Sequence, residues 1–185
     1  MIRIMSIRKV LFPLALFMVL AGCGGSTSDH DVPKPEVPEV SEMYVDKEML
    51  FALSDSLYKR FEKDGLSALS GPEQVFLLVW SIDSEVHSGG FASFFFNSFG
   101  DYAIETVGAL EVIGATSTAD LVRQANVVFG PYGPSADIDE RQSQVDALPA
   151  SAKAVFDGLD NRFYEYKENL GVLLSQYVQE HPRDF

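Results

Sequence analysis

The sequence lacks most of the residues that catalytic, redox and metal chemistry need. Its 185 residues include one cysteine and three histidines. Cys23 has no second cysteine with which to form an intramolecular disulfide. His30 and His181 lie near opposite ends of the chain, with only His87 between them, so we expect no metal cluster. The motifs G-x-S-x-G and H-E-x-x-H, the P-loop and the dinucleotide fingerprint do not occur. The sequence therefore predicts no catalytic residue, no metal and no cofactor.

Basic residues are also scarce. The chain has 14 Lys plus Arg against 27 Asp plus Glu, a net charge of −13. Such a surface repels nucleic acid and anionic lipid, so direct nucleic-acid binding is not expected. Two interpretations of the acidic residues stay open: an ordered carboxylate array that attracts a basic partner, or a solvated surface that keeps the protein soluble. Acidic residues are spread along every predicted helix, and this spread favours the second interpretation.

The one long apolar run covers residues 10–21 and follows three basic residues. It is shorter than the roughly 20 residues of a membrane-spanning helix and is typical of a signal peptide. Leu20-Ala21-Gly22-Cys23 then resembles the bacterial lipoprotein signal. The resemblance implies cleavage after Gly22, a diacylglyceryl group on the Cys23 thiol, and a further acyl chain such as palmitate on its freed amine. The alternative is an ordinary secretory signal with an accidental cysteine.

Lipidation of Cys23 predicts a stable contact with the lipid bilayer. Each buried methylene contributes about 0.8 kcal/mol, and two or more acyl chains are needed for firm anchoring. We expect an exported, membrane-anchored lipoprotein. Gly24 rather than Asp follows the cysteine, which in a Gram-negative host favours the outer membrane, facing the periplasm. Loss of the signal removes three basic residues, so the mature chain has 11 basic and 27 acidic residues, a net charge of −16.

The domain organisation follows from composition. Residues 1–22 form the signal peptide, and residues 23–40 form a linker that is first Gly/Ser-rich and then Pro-rich. About 17 residues at roughly 3.1 Å each give a spacer of about 50 Å. Residues 41–185 form an acidic helical domain that is long enough to bury a substantial core.

We predict an all-α fold for 41–185: a single compact bundle of about six to eight helices. Apolar residues from Leu50 to Phe61 fall on one helical face that ends at Gly65. Ser70 and Glu73 form a capping-box pattern that opens an apolar segment. That segment, about residues 70–87, is the predicted central buried helix.

The later helices are predicted from similar signals. Ser117-x-x-Asp120 has the pattern of a helix N-cap, and a short helix is expected around Arg141. The last helix is predicted from near Asp160 to His181. Apolar residues share one of its faces, and an acidic face lies opposite: Asp160, Glu165 and Glu168.

The stretch EVHSGGFASFFFNSFGDYAIETVGALEVIGA, residues 85–115, is predicted to lie at the centre of the fold. Gly89-Gly90 breaks a helix, because glycine reaches positive φ freely. Five phenylalanines follow within nine residues and are expected to fill the core as a turn. Asp101 is predicted to cap the next helix. Glu85 and His87 do not face each other on a helix, so an acid–base pair would need the helix to end between them.

Three blocks in order carry a family resemblance: GGFASFFFNSFGD, ALEVIGA and FDGLDNRFYEYKENLGVLLSQYV. Together they resemble the small helical family typified by the DNA-mimic protein DMP-nineteen. The family-motif residues are Glu85, Gly89, Gly90, Phe91, Asn97, Gly100 and Asp101. One departure is His87-Ser88, where the family has Asn-rich residues. The resemblance implies an all-α fold with no cofactor and no known catalysis. Its type member is understood to imitate duplex DNA and to bind a DNA-binding protein.

Export changes what such a protein meets, because a lipoprotein outside the cytoplasmic membrane does not encounter transcription factors. We therefore expect a non-enzymatic, acidic protein-binding module, such as an inhibitor or immunity-like partner of a basic exported protein, for example a secreted toxin or nuclease. The first alternative is a structural or assembly lipoprotein of the cell envelope. The second is an unrecognised enzyme.

Overall fold

Seven α-helices and two short 3-10 helices, with no strand, make up residues 45–185, the part of the chain that this computed structural model describes. The α-helices are α1 (Lys47–Asp64), α2 (Gly71–Phe96), α3 (Ala103–Val112), α4 (Thr116–Val127), α5 (Ile138–Asp146), α6 (Ala150–Tyr164) and α7 (Leu170–Glu180). The prediction of an all-α fold with six to eight helices is confirmed. The signal peptide, Cys23 and the linker lie outside the described residues.

Helix α1 ends where its sequence predicts, and it begins after an N-cap that the sequence analysis did not identify. The Asp46 side chain accepts a hydrogen bond from the backbone N–H of Met49 at 2.9 Å. Gly65 ends the helix with φ of +79°. Leu50 and Leu57 are buried, so the predicted apolar face packs inward.

Helix α2 is the centre of the bundle. It opens with the predicted capping box, in which Ser70 N–H donates to Glu73 Oε2 at 2.8 Å and the Ser70 hydroxyl accepts from Glu73 N–H at 3.4 Å. Arg60 of α1 binds the same Glu73 carboxylate. The helix packs against α1, α3, α5, α6 and α7. Phe76 and Ile82 are fully buried, and the predicted central helix is confirmed.

The phenylalanine-rich segment differs from its prediction. The chain kinks at Gly89 and Gly90 but resumes helical structure through Phe96, so this part of α2 is a helix rather than a turn. Phe91, Phe94 and Phe95 are fully buried. Phe99 is also buried, but Phe96 is 43% exposed. The expected core position is therefore correct for four of the five phenylalanines, whereas the expected local conformation is wrong.

The predicted last helix is two helices. Helix α6 ends at Tyr164, and α7 begins after Asn169, whose side chain accepts a hydrogen bond from Val172 N–H at 3.1 Å. Tyr166, between the two, has φ of +49°, which does not continue a right-handed helix. The prediction failed because apolar residues on both sides of the break keep the same helical spacing.

Candidate functional site

The family-motif glycines are required by close packing at the kink of α2. Gly90 has φ of +72°, in the region that favours glycine. A Cβ built on Gly90 would lie 2.8 Å from Cγ of Asp160 and would overlap its carboxylate. That carboxylate accepts a hydrogen bond from the backbone N–H of Phe91 at 2.8 Å. The kink therefore exposes a backbone N–H that α6 satisfies.

Gly100 makes room for a buried arginine. A Cβ on Gly100 would lie 2.5 Å from Nε of Arg141 and 2.9 Å from the carbonyl oxygen of Phe94. The Arg141 side chain is fully buried. It donates from Nε to the carbonyl oxygen of Phe95 at 2.7 Å, and from Nη2 to that of Asn97 at 2.9 Å.

Arg141 also binds Asp101, which was predicted to be the N-cap of the next helix. Arg141 Nη2 lies 2.6 Å from Oδ1 of Asp101. Tyr102, not Asp101, precedes α3, and no side-chain hydrogen bond caps that helix. The N-cap prediction is wrong, because a buried guanidinium needs a counter-charge more than an exposed helix end needs a cap. Arg141 lies on the inward face of α5, together with Val145. The only sequence signal for its role was its position in a short predicted helix.

Glu85 lines a cavity between α1 and α2. The cavity has a volume of about 410 Å³, and its walls include Phe51, Tyr58, Trp80 and Phe99. Burial raises the pKa of Glu85 to about 7, although a hydrogen bond from Asn97 and the charge of Arg141 act in the opposite direction. Oε2 of Glu85 has no hydrogen-bond partner in the described part of the chain. Near pH 7 this carboxyl can exchange a proton or pair with an incoming cation.

His87 pairs with Asp83 rather than with Glu85. Helix α2 runs through all three residues, so Glu85 and His87 point to different faces. His87 Nδ1 lies 2.8 Å from the carbonyl oxygen of Asp83 and 3.2 Å from its Oδ1. Burial raises the pKa of Asp83, while the charge of His87 and a hydrogen bond from Tyr166 lower it.

Aromatic rings surround the His87 imidazole. The ring centroids of Phe163, Tyr164 and Tyr166 lie 5.4, 5.8 and 5.3 Å away. The Tyr164 hydroxyl donates to the carbonyl oxygen of Val86 at 3.0 Å, which ties the end of α6 to α2. A smaller cavity of about 210 Å³ beside His87 shares Phe51 and Trp80 with the larger one.

The three residues of the predicted acidic face lie on different parts of the fold. Asp160 on α6 binds Phe91, as described above. Glu168 accepts hydrogen bonds from the backbone N–H groups of Ser117 and Thr118 at 2.9 and 2.8 Å, and from the Thr118 hydroxyl at 2.7 Å. Glu165 is exposed, 3.0 Å from the ammonium of Lys167.

Glu168 therefore caps α4 from outside that helix. Sequence reasoning gave this role to Ser117, but Ala115 precedes α4 and no local side chain caps it. Burial alone would raise the pKa of Glu168, but the hydrogen bonds from Ser117 and Thr118 outweigh burial and lower it.

The described helices offer neither a metal site nor a membrane span. No group of three or more His, Cys, Asp or Glu side chains in residues 45–185 is placed to hold a metal ion. Among the helices in the same range, none is both long and apolar enough to cross a bilayer.

Comparison with known proteins identifies the family through one match. No curated protein and no solved structure matches the chain. A family model described as DMP19-like protein matches residues 67–181, which contain α2 to α7 and all seven family-motif residues. Because the match covers more than half of the 185 residues, this chain belongs to the DMP19-like protein family.

Proposed function

We propose that this protein is a membrane-anchored, non-enzymatic acidic module that binds a basic exported protein. The lipoprotein signal and Cys23 support the anchoring, since acyl chains on a cysteine hold a protein at a bilayer. Membership of the DMP19-like family supports a binding role, because the type member of that family is understood to bind a protein and the resemblance implies no known catalysis.

The acidic surface of α5 is the observation that carries the proposal. Asp137, Asp139, Glu140 and Asp146 are exposed within ten residues. The one basic residue of this segment, Arg141, is fully buried and is bound to backbone carbonyls and Asp101. The outer surface of α5 therefore carries negative charge that no neighbouring base of the segment neutralises. Such a patch accelerates encounter with a positively charged partner.

The whole described domain has the same imbalance. Residues 45–185 contain 10 Lys plus Arg and 22 Asp plus Glu, a net charge of −12. From Asp64 to Val122 there is no lysine and no arginine, although this span contains eight acidic residues. A partner protein with a basic surface fits this charge distribution, whereas nucleic acid does not.

Crosslinking in intact envelopes tests the partner. We expect the full-length lipoprotein to capture a basic exported protein that is lost as salt is raised, because screening weakens contacts between exposed charges. The double variant Asp139→Asn with Asp146→Asn should lose most of the captured partner. The matched control, Glu105→Gln with Asp157→Asn, removes the same charge from exposed positions outside α5 and should retain it. Equal capture by both double variants would contradict the role of α5.

Cell fractionation tests the anchor. The wild-type protein should be found with membranes and should incorporate palmitate, whereas Cys23→Ser should do neither. A wild-type protein that is soluble in the cytosol would overturn the proposed location. It would favour instead the imitation of DNA inside the cell, the role understood for the type member of the family.

A structural or assembly lipoprotein of the envelope is the second candidate, favoured by one observation. Ile104, Val127 and Tyr132 are large apolar residues that remain exposed and line one shallow cavity at α3, α4 and the loop after α4. Contiguous exposed apolar surface is typical of protein–protein contacts. A captured envelope partner that resists high salt would support this candidate. Loss of function in Glu85→Gln or His87→Ala, with folding and partner capture both intact, would instead support an enzyme.

A further inference from the structure

The cavity between α1 and α2 has features that the acidic surface of α5 does not. We call it the aromatic cavity and define it by Phe51, Tyr58, Trp80, Glu85 and Phe99, which contribute to its walls. Its volume of about 410 Å³ is within the range of ligand pockets. Phe51 and Tyr58 are 62% and 40% exposed, which is high for aromatic side chains in a bundle with a well-filled core.

The rings of the aromatic cavity are held in pairs. The centroids of Phe51 and Trp80 are 5.1 Å apart, with the ring planes at 81°. Those of Tyr58 and Phe99 are 6.1 Å apart, with the planes at 39°. Phe76, which is fully buried, stacks on Trp80 at 6.2 Å, and Phe61 stacks on Phe99 at 4.8 Å. Trp80 and Phe99 are therefore supported from behind, whereas Phe51 and Tyr58 keep exposed surface that a ligand can contact.

Glu85 supplies a charge to this aromatic surface. Its Oε2 is buried and has no hydrogen-bond partner in the described domain. The other groups that face it are the Tyr58 hydroxyl from α1, the Asn97 amide, and the Arg141 guanidinium from α5. At the rim, Asp55 is already bound by Lys59 at 2.6 Å. Glu85 is therefore the carboxylate of the cavity that still has capacity for a cation.

We propose that the aromatic cavity binds one arginine side chain of the basic partner, with the guanidinium stacked on the rings and paired with the Glu85 carboxylate. Aromatic faces attract cations. Arginine suits them better than lysine, because its guanidinium is planar, is more weakly hydrated and can bind a carboxylate with two N–H groups. This inference rests on the proposed function. It adds that the partner is recognised through one particular arginine as well as through its overall positive charge.

Trp80 provides the test, because it is the single tryptophan of the chain. The mature chain, with Cys23→Ser to keep it in solution, is titrated with arginine methyl ester while Trp80 fluorescence is recorded. We expect a saturable change, with lysine methyl ester binding about tenfold more weakly. Glu85→Gln and Phe51→Ala should each weaken binding by about tenfold or more. Glu105→Gln, which removes an exposed carboxylate outside the cavity, should bind as the wild type does.

The pH dependence adds a second readout. A bound cation favours ionised Glu85, so affinity should rise several-fold as the pH passes upward through about 7. His87 lines the neighbouring cavity and remains in place in Glu85→Gln, which should abolish most of the pH dependence.

Several outcomes would overturn the inference. They are the absence of a saturable change in Trp80 fluorescence, equal affinity for the lysine ester, or unchanged binding in both cavity variants with circular dichroism showing a folded protein. The proposed function fails separately. If envelope capture succeeds while the arginine ester does not bind, only the aromatic cavity is wrong. If the ester binds while no basic partner is captured, the cavity stands and the partner proposal falls.

Discussion

The Asp160 carboxylate accepts a hydrogen bond at 2.8 Å from the backbone N–H of Phe91, 69 positions earlier in the chain. Helix α6 thereby caps the part of α2 that follows the kink, as an Asp at a helix N-terminus would do locally. The contact requires Gly90, since any Cβ at that position would overlap the carboxylate. The GGF motif and the late FDGLD motif are therefore two halves of one structural contact.

Gly90→Ala should destabilise the domain. It combines a backbone conformation that only glycine adopts readily, at φ of 72° and ψ of −176°, with a clash against Asp160. We expect a loss of about 2–4 kcal/mol in the free energy of unfolding, measured by urea denaturation. Gly108→Ala is the control: it lies inside α3 with open space around it, and should be neutral or stabilising by up to about 1 kcal/mol.

Glu85→Gln should stabilise the protein above neutral pH. Burial raises the pKa of Glu85 to about 7 from an ordinary value of 4.5. Between these two values the folded protein holds a proton that the unfolded chain has lost, so the wild-type free energy of unfolding falls as pH rises through this window. The difference between variant and wild type should grow between pH 5 and pH 8, reaching about 1–3 kcal/mol. Thermal melts at both pH values measure it, and a constant difference would refute the assignment.

Glu168→Gln should weaken α4 with the opposite dependence on pH. The hydrogen bonds from Ser117 and Thr118 lower the pKa of Glu168. The contribution of Glu168 to the free energy of unfolding is therefore fully present when the pH is above the ordinary glutamate pKa, and it is lost as the pH falls through the lowered pKa of the folded state. We expect a loss of about 1–2 kcal/mol at pH 7, and little difference from wild type in strong acid. Glu165→Gln, an exposed residue beside Lys167, should change stability by less than about 0.5 kcal/mol.

Arg141→Lys should be far from conservative. The guanidinium uses its fork of N–H groups on the carbonyl oxygens of Phe95, Ser135 and Asn97, and it also pairs with Asp101. An ammonium cannot satisfy all of these groups, so buried acceptors would lose their donors. The expected cost is about 3–5 kcal/mol, read from urea midpoints. Arg123→Lys, at an exposed position on α4, should cost less than about 1 kcal/mol, and similar losses for both would contradict this account.

The parts of the fold that sequence predicts are those set by neighbouring residues. Ser70 and Glu73 lie three positions apart, so the start of α2 can be predicted from neighbouring residues alone. The partner of Phe91 is 69 residues away and that of Thr118 is 50, and no local pattern contains them. For this reason the helical conformation after the kink and the true cap of α4 were both mispredicted.

The candidate site was predicted in part for the same reason. The family motif pointed to Glu85, Asn97 and Asp101. It did not indicate that Arg141 binds Asn97 and Asp101 and acts on Glu85 through its charge. The family motif also did not reveal the aromatic cavity. Phe51 and Tyr58 belong to α1, a separate helix, and were not expected to line a binding surface. Both features arise from packing between segments that the sequence separates.

Helix α1 lies before residue 67, where the family match begins, yet it is not an accessory to the bundle. Leu50 and Leu57 are buried in the core that the later helices form, and Phe51 and Tyr58 form part of the wall opposite Glu85. A truncation that follows the matched segment would remove these side chains and expose the apolar surface that they cover. A domain produced by itself should therefore begin no later than Val45. Poor solubility of a shorter fragment would be explained by the loss of α1 and would not show that the family fold is unstable.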